Sequence, residues 1–194
     1  MDKDWNSAYA VADTPWDKGS AAPPLAEYLK AHRIEGSVLV PGCGSGHDAQ
    51  VLLNQGAQVK GIDIAPLAVE KAHALYPALS GHVFEGDFLK TPTTENGSYD
   101  WIVEHTCLCA IDPSKRTEYA TTTHRLLTRG GRFFAIFFRE VSHDREDHPP
   151  YPINEAEIET LFGERFELLE SYTPKMTYPE RPQGAEEVRV YRKL

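Results

Sequence analysis

"VLVPGCGSGHD", residues 38–48, decides the reading of this 194-residue chain. Val38, Leu39 and Val40 lead into Pro41; Gly42, Gly44 and Gly46 then alternate with Cys43 and Ser45, and His47 and Asp48 follow. A buried strand running into a glycine-rich turn lets a ligand approach the backbone closely. The turn is not a phosphate-cradling GxxxxGK[ST] loop, because the Lys-hydroxyl pair is missing. It also departs from the dinucleotide GxGxxG pattern, since His47 stands where the third glycine would be.

Outward from this turn, strand and helix signals alternate. "SVLVP" (37–41) reads as a buried strand and "HDAQVLLNQG" (47–56) as a helix ended by Gly56. "AQVKGIDI" (57–64) is a strand, and "PLAVEKAHALYP" (66–77) a helix with Pro66 in its first turn. "HVFEGD" (82–87) and "YDWIVEH" (99–105) are strands. "SKRTEYATTTHRLLTRGG" (114–131) is expected to be a helix closing on Gly130 and Gly131, followed by the strand "RFFAIFF" (132–138). "NEAEIETLFG" (154–163) is a helix capped by Asn154, and "FELLESYT" (166–173) and "EEVRVYRK" (186–193) are strands. Val188 and Val190 alternate with charged neighbours, which predicts an edge strand for the last of these. Ahead of the first strand, "PPLAEYLKAH" (23–32) reads as a helix, and residues 1–24 as an irregular lid or short helical arm. The alternation predicts one α/β domain over 1–194, a mostly parallel sheet with helices on both faces. Ligands of such sheets bind beyond the carboxyl ends of the strands, near the switch in strand order.

Acidic residues fall at those ends. Asp63 closes the second strand, where a carboxylate accepts from ribose hydroxyls. Asp87 and Phe88 close the third, suited to an adenine amine and an adenine face, and Glu104 closes the fourth. Acceptors without a basic residue suit adenosine joined to a cation and not a pyrophosphate. S-adenosylmethionine meets that description, and its carboxylate would find backbone N–H groups at the glycine turn.

The formal net charge of −9 gives no electrostatic reason to bind nucleic acid or an anionic membrane. Cys43, Cys107 and Cys109 lack the spacing of a disulfide framework or a zinc site. "MDKDWNSAYA" has no signal-peptide apolar core, and no run approaches membrane-spanning length. The expectation is a soluble cytoplasmic monomer with reduced thiols, acting on a small molecule.

With these residues in place, the chain resembles class I S-adenosylmethionine-dependent methyltransferases. More narrowly, it resembles the thiopurine S-methyltransferase family, which includes halide and thiol methyltransferases. The resemblance rests on "TPWDKG" (14–19), "VPGCGSGHD" (40–48), "VKGIDIAPLAVEKA" (59–72), "GDFL" (86–89), "CAIDPSKR" (109–116) and "PPYPINEAEI" (149–158). It implies a Rossmann-like, seven-stranded, mostly parallel sheet with the last strand antiparallel. It implies cofactor contacts from Trp16, Gly42, Gly44, Asp63, Asp87, Phe88 and Glu104, with the amino-terminal arm closing over the cofactor. Where thiopurine-active members resemble Asp-Arg-Gly, this chain has Glu104-His105-Thr106, and the halide and thiol branch tends to an aromatic residue in the middle.

Methyl transfer from a sulfonium is an in-line displacement that needs alignment and exclusion of water and no metal. His105, beyond the fourth strand, is placed to deprotonate a thiol or hydrogen-bond an anion. Arg139, ending "RFFAIFF", is a candidate to hold an anionic acceptor. "SHDREDHPPYP" (142–152) reads as a substrate lid, with metal binding by His143 and His148 as the alternative. Cys107 and Cys109, taken as alternating along extended chain, read as small packing residues. The acceptor classes are thiol, thiopurine, halide or chalcogen oxyanion. An O- or N-methyltransferase and a catalytically silent S-adenosylmethionine-binding regulator are the alternatives, and a nicotinamide oxidoreductase is disfavoured by GxGxG.

Overall fold

The computed structural model describes residues 3–140 and 148–194. A short helix α1 (Trp5–Ala10) and α2 (Pro23–Tyr28) precede the first strand, β1 (Ser37–Pro41). Then follow α3 (His47–Asn54), β2 (Gln58–Asp63), α4 (Pro66–Leu75), β3 (Val83–Glu85) and β4 (Tyr99–His105). The chain closes with α5 (Arg116–Leu126), β5 (Leu127–Phe138), α6 (Glu155–Phe162), β6 (Phe166–Tyr172) and β7 (Glu186–Lys193).

The seven strands lie in the order β3-β2-β1-β4-β5-β7-β6. β1 to β5 pair in parallel, and β7 runs antiparallel to both β5 and β6. The chain steps outward from β1 to β2 and β3, then returns to place β4 on the other side of β1. The switch point, where such sheets bind ligands, is therefore at the carboxyl ends of β1 and β4.

Both faces of the sheet are covered, and the strands show why in their alternation. Val38 and Val40 point into one apolar cluster with Trp101, Val103, Phe134 and Ile136, while Leu39, Ile102, Phe133 and Phe137 point into the other. The first is closed by α2, α3 and α4 through Leu25, Leu52 and Ala72, the second by α5 and α6 through Tyr119 and Phe162. Each fully buried large side chain contributes roughly 1.5–3 kcal/mol over an exposed one, and these two clusters hold the strand ends in register. No helix among the described residues is long and apolar enough to cross a membrane.

Two expectations need correction. α5 ends at Leu126 and not at Gly130–Gly131. Leu127 is fully buried and pairs with Tyr99, so the chain turns extended there. "TRGG" then forms an irregular start to β5, with a register shift opposite Tyr99 and Trp101. β7 is interior, between β5 and β6, and β6 forms the edge. Arg189 of β7 is matched inside the protein: 3% exposed, it meets Glu187 at 2.6 Å, Glu159 at 3.0 Å and also Glu155. At Arg189 the charge marks ion pairs, two of them to α6, and not a solvent face, whereas Arg192 is exposed and pairs with Glu167 of β6.

Candidate active site

The glycine turn closes β1 in a conformation that side chains would obstruct. Gly42 and Gly44 sit at φ +56° and +53°. A Cβ on Gly42 would lie 2.9 Å from both Cβ and Sγ of Cys107, so glycine here lets the turns after β1 and β4 touch. The Gly44 N–H donates to Asp63 Oδ2 at 2.9 Å, and the Ala65 N–H to Asp63 Oδ1 at 2.9 Å. Asp63 is 9% exposed. Burial pushes its carboxyl up, against the pull of these two N–H groups. Each oxygen keeps a second lone pair for a ligand hydroxyl.

Over this turn lies a cavity of about 1180 Å³. One wall is the arm with Trp5, Tyr9 and Trp16; the floor is Gly42–Ser45 and Asp63. Asp87 and Phe88 form a second wall. Strand β3 stops at Glu85, so Asp87 is not a strand residue but caps a 3-10 turn, accepting from Leu89 N–H at 3.0 Å. Phe88 packs on Tyr119 with ring centres 4.7 Å apart. Trp16 meets Trp5 edge to face at 5.1 Å and donates its Nε1–H to the Tyr9 hydroxyl at 3.2 Å.

His105 borders the cavity at the end of β4. Its Nδ1 lies 3.0 Å from Asp48 Oδ2, while its Nε2 is buried with no hydrogen-bond partner. Thr106 follows at φ +64°, a left-handed conformation that costs a non-glycine residue on the order of 1 kcal/mol or more. The turn so formed closes on the Cys107 carbonyl, which accepts from Ala110 and Ile111 N–H. The run after His105 is therefore not extended, contrary to the basis on which Cys107 and Cys109 were read. Burial pushes both thiols up, Cys109 to about 12, so they stay protonated near neutrality.

Two expected site residues stand elsewhere. Glu104, 1% exposed, lies behind the cavity wall. Its Oε2 accepts from the Tyr119 hydroxyl at 2.5 Å and its Oε1 from Leu108 N–H at 3.0 Å. Burial raises its carboxyl pKa despite these bonds. Its carboxylate holds the β4 turn against α5 and is committed there. Arg139 is not in the cavity wall either; it is held by Glu155 at 3.2 Å and Glu187 at 3.3 Å, the ordinary ion-pair alternative. Among the described residues, the guanidinium that does border the cavity is Arg181, from the irregular Pro- and Gly-bearing segment between β6 and β7. It lies 3.8 Å over the Phe138 ring and 2.8 Å from Glu186. The Glu186 contact is an ion pair without hydrogen-bond alignment, since Arg181 Nη1 and both Glu186 oxygens lack a hydrogen-bond partner. No periodic signal in that segment pointed to Arg181.

Of the expected lid, residues 142–147, with His143, lie outside the described residues, while His148, Pro149, Pro150 and Tyr151 border the cavity. Asp17 carries part of the resemblance, within "TPWDKG", but sequence reasoning gave it no role in the site. Its Oδ2 accepts from Ser45 Oγ at 2.5 Å and Lys71 Nζ at 2.7 Å, and its Oδ1 lies 2.8 Å from His47 Nε2. Burial alone would raise its pKa, but bonds from Lys71, Ser45, Gly19 and His47 outweigh that and hold it well below the usual carboxylate range. His47, in the place of the missing third glycine, serves this latch.

The glycine cradle, the Asp63 floor and the aromatic walls fit adenosine bearing a sulfonium amino acid. Fold and site together define an S-adenosylmethionine-dependent methyltransferase. The family model for thiopurine S-methyltransferase matches residues 1–193, and the chain belongs to that family. Thiocyanate methyltransferase 1 of Brassica oleracea is 32% identical over 155 residues, covering 77% of this chain and 66% of that protein. Thiopurine S-methyltransferase of Vibrio cholerae is 30% identical over 177 residues, covering 81% and 79%. The fold matches that of Burkholderia thailandensis 1,6-didemethyltoxoflavin-N1-methyltransferase, solved with S-adenosylhomocysteine, at a TM-score of 0.75 and 22% identity over 98% of this chain and 85% of that one.

Proposed function

We propose that this enzyme methylates a small acceptor that reacts as a soft anion, foremost a thiol, with His105 as the proton acceptor where the acceptor must first lose a proton. The observation that carries this reading is that His105 borders the cavity and its buried Nε2 has no hydrogen-bond partner. Bound S-adenosylmethionine supplies an electrophilic methyl group on a sulfonium. Gly42 and Gly44 let it lie against the turn, Asp63 takes its ribose hydroxyls, Asp87 and Phe88 its adenine, and Trp16 covers it. His105 removes the acceptor proton, and the closed aromatic walls keep water out. Alignment of this kind is worth roughly 7–11 kcal/mol in favourable cases. Thiol, thiopurine and thiocyanate acceptors are those in the names of the relatives above and of the Arabidopsis thaliana probable thiol methyltransferase 2. The three free cysteines fit a cytoplasmic setting, and we take the working unit to be a monomer.

The test is an acceptor panel with purified protein, reading release of S-adenosylhomocysteine. Thiols, thiopurines and thiocyanate should turn over well ahead of phenols and amines. Preference for phenols or amines would make it an O- or N-methyltransferase. Cofactor binding with no release on any acceptor would make it a silent binder.

The arm is proposed as the cover. Trp5 and Trp16 both face the cavity, so adding S-adenosylhomocysteine should quench or shift tryptophan fluorescence and slow proteolysis within the first 20 residues. Equal cleavage rates with and without the ligand would remove the cover from this account.

A further inference from the structure

Asp48 closes the "GCGSGHD" motif and has no part in the cofactor seat described above. It sits in the first turn of α3, with a side chain only 12% exposed. Its Oδ1 accepts from Ala22 N–H at 2.7 Å, and its Oδ2 lies 3.0 Å from His105 Nδ1. Burial would raise its pKa, but the hydrogen bonds from His105 and Ala22 help to hold it lowered. An ionised carboxylate only accepts hydrogen bonds, so Nδ1 must carry the hydrogen in this contact. With Nδ1 carrying a hydrogen, the lone pair of a neutral ring is on Nε2, the nitrogen that has no hydrogen-bond partner in a residue bordering the cavity. The other titratable groups around the pair do not compete for Nδ1. Glu104, next in the strand, is bonded to Tyr119 and Leu108; Tyr178 stacks on the ring at 6.1 Å and donates to the Ser20 carbonyl; Arg181 lies beyond Tyr178.

We infer that Asp48 is a positioning residue that fixes His105 in the Nδ1–H form and thereby makes Nε2 the proton acceptor for the substrate. In the step it supports, the acceptor S–H bond breaks, the proton bonds to Nε2, and the electron pair stays on sulfur as thiolate. The imidazolium so formed is paired with the Asp48 carboxylate until its proton passes to water. The inference rests on the proton-acceptor reading of His105.

The experiment compares wild type, Asp48→Asn and His105→Gln with two probes, an aliphatic thiol and iodide, which carries no proton. An amide at position 48 can still accept from Ala22, but it turns a donor toward Nδ1 and favours the wrong tautomer. The ratio of thiol to iodide rates should fall about 10²- to 10⁴-fold in Asp48→Asn. In parallel, ¹⁵N NMR of the ligand-free protein, with His105 assigned by its loss in His105→Gln, should show Nδ1–H in wild type and Nε2–H in Asp48→Asn. An unchanged rate ratio in folded Asp48→Asn, with a large fall in His105→Gln, overturns the role of Asp48 alone. An unchanged ratio in His105→Gln overturns the proton-acceptor reading itself. If Asp48→Asn does not fold, the wild-type spectrum decides: an Nε2–H ring overturns the inference, and an Nδ1–H ring supports it.

Discussion

Replacing His105 by glutamine should depress turnover of an aliphatic thiol by roughly 10²- to 10⁴-fold, the usual scale for a lost general base. Iodide turnover should fall far less, because no proton has to leave. Near neutrality an aliphatic thiol is mostly protonated, so its rate depends on a group that takes the proton. The Nε2 of His105 is buried and unpartnered at the end of β4, with its other nitrogen held by Asp48. The limb of the pH–rate profile that a histidine base gives should vanish with the ring. If His105 only shapes the pocket, both acceptors should fall together and the pH profile should not move. A thiol-rate loss below about threefold would eliminate the base on this scale, leaving proximity and desolvation to carry the reaction.

The second large effect is on cofactor affinity. Asp63→Ala should weaken S-adenosylhomocysteine binding by roughly 1.5–3 kcal/mol, the range for a hydrogen bond to a charged group. That is about tenfold to a hundredfold in affinity. The same change removes the acceptor for Gly44 and Ala65 N–H, so the melting temperature should fall as well. Calorimetry on the folded variant measures the first effect and thermal unfolding the second. Unchanged affinity in a folded variant would detach Asp63 from the ribose, and NADH binding tighter than S-adenosylhomocysteine would sink the adenosyl-sulfonium reading of the site.

How far the sequence carried can be judged from these same residues. Gly42, Asp63 and His105 were legible because strand ends are set by local periodicity, and β1, β2 and β4 end at or next to them. What each side chain would pair with was not legible. Glu104 is a strand-end acid of the same appearance as Asp63, yet its partner is Tyr119, fifteen residues on in α5. Arg139 ends an apolar strand as expected, but acids on α6 and β7 claim it. The Asp48–His105 pair spans 57 residues, and the Asp17–Lys71 pair 54. Such pairings depend on how the sheet crosses over, and only the assembled topology specifies that. The misjudged edge strand has the same origin, since local alternation of charge does not distinguish water from the glutamates of α6.

The Asp17 latch has a consequence for how products leave. Downstream of it the chain is bolted to the frame: Ser20 carbonyl to the Tyr178 hydroxyl, Ala22 N–H to Asp48. Upstream, the ties between α1 and the frame among the described residues are weaker: Leu67 N–H donates to Asn6, and the Lys71 ammonium lies 6.0 Å over the Tyr9 ring, besides ring contacts within the arm. If the arm gates the cavity, the swinging part is therefore the segment before Asp17, and Asp17 is its gatepost. Spent cofactor then departs through a doorway opened by one short helix and its tryptophans, while the acceptor side stays framed by residues that need not move. Turnover of product and choice of acceptor would be set at separate places in the chain, so mutations in α1 should tune release without retuning which nucleophile is methylated.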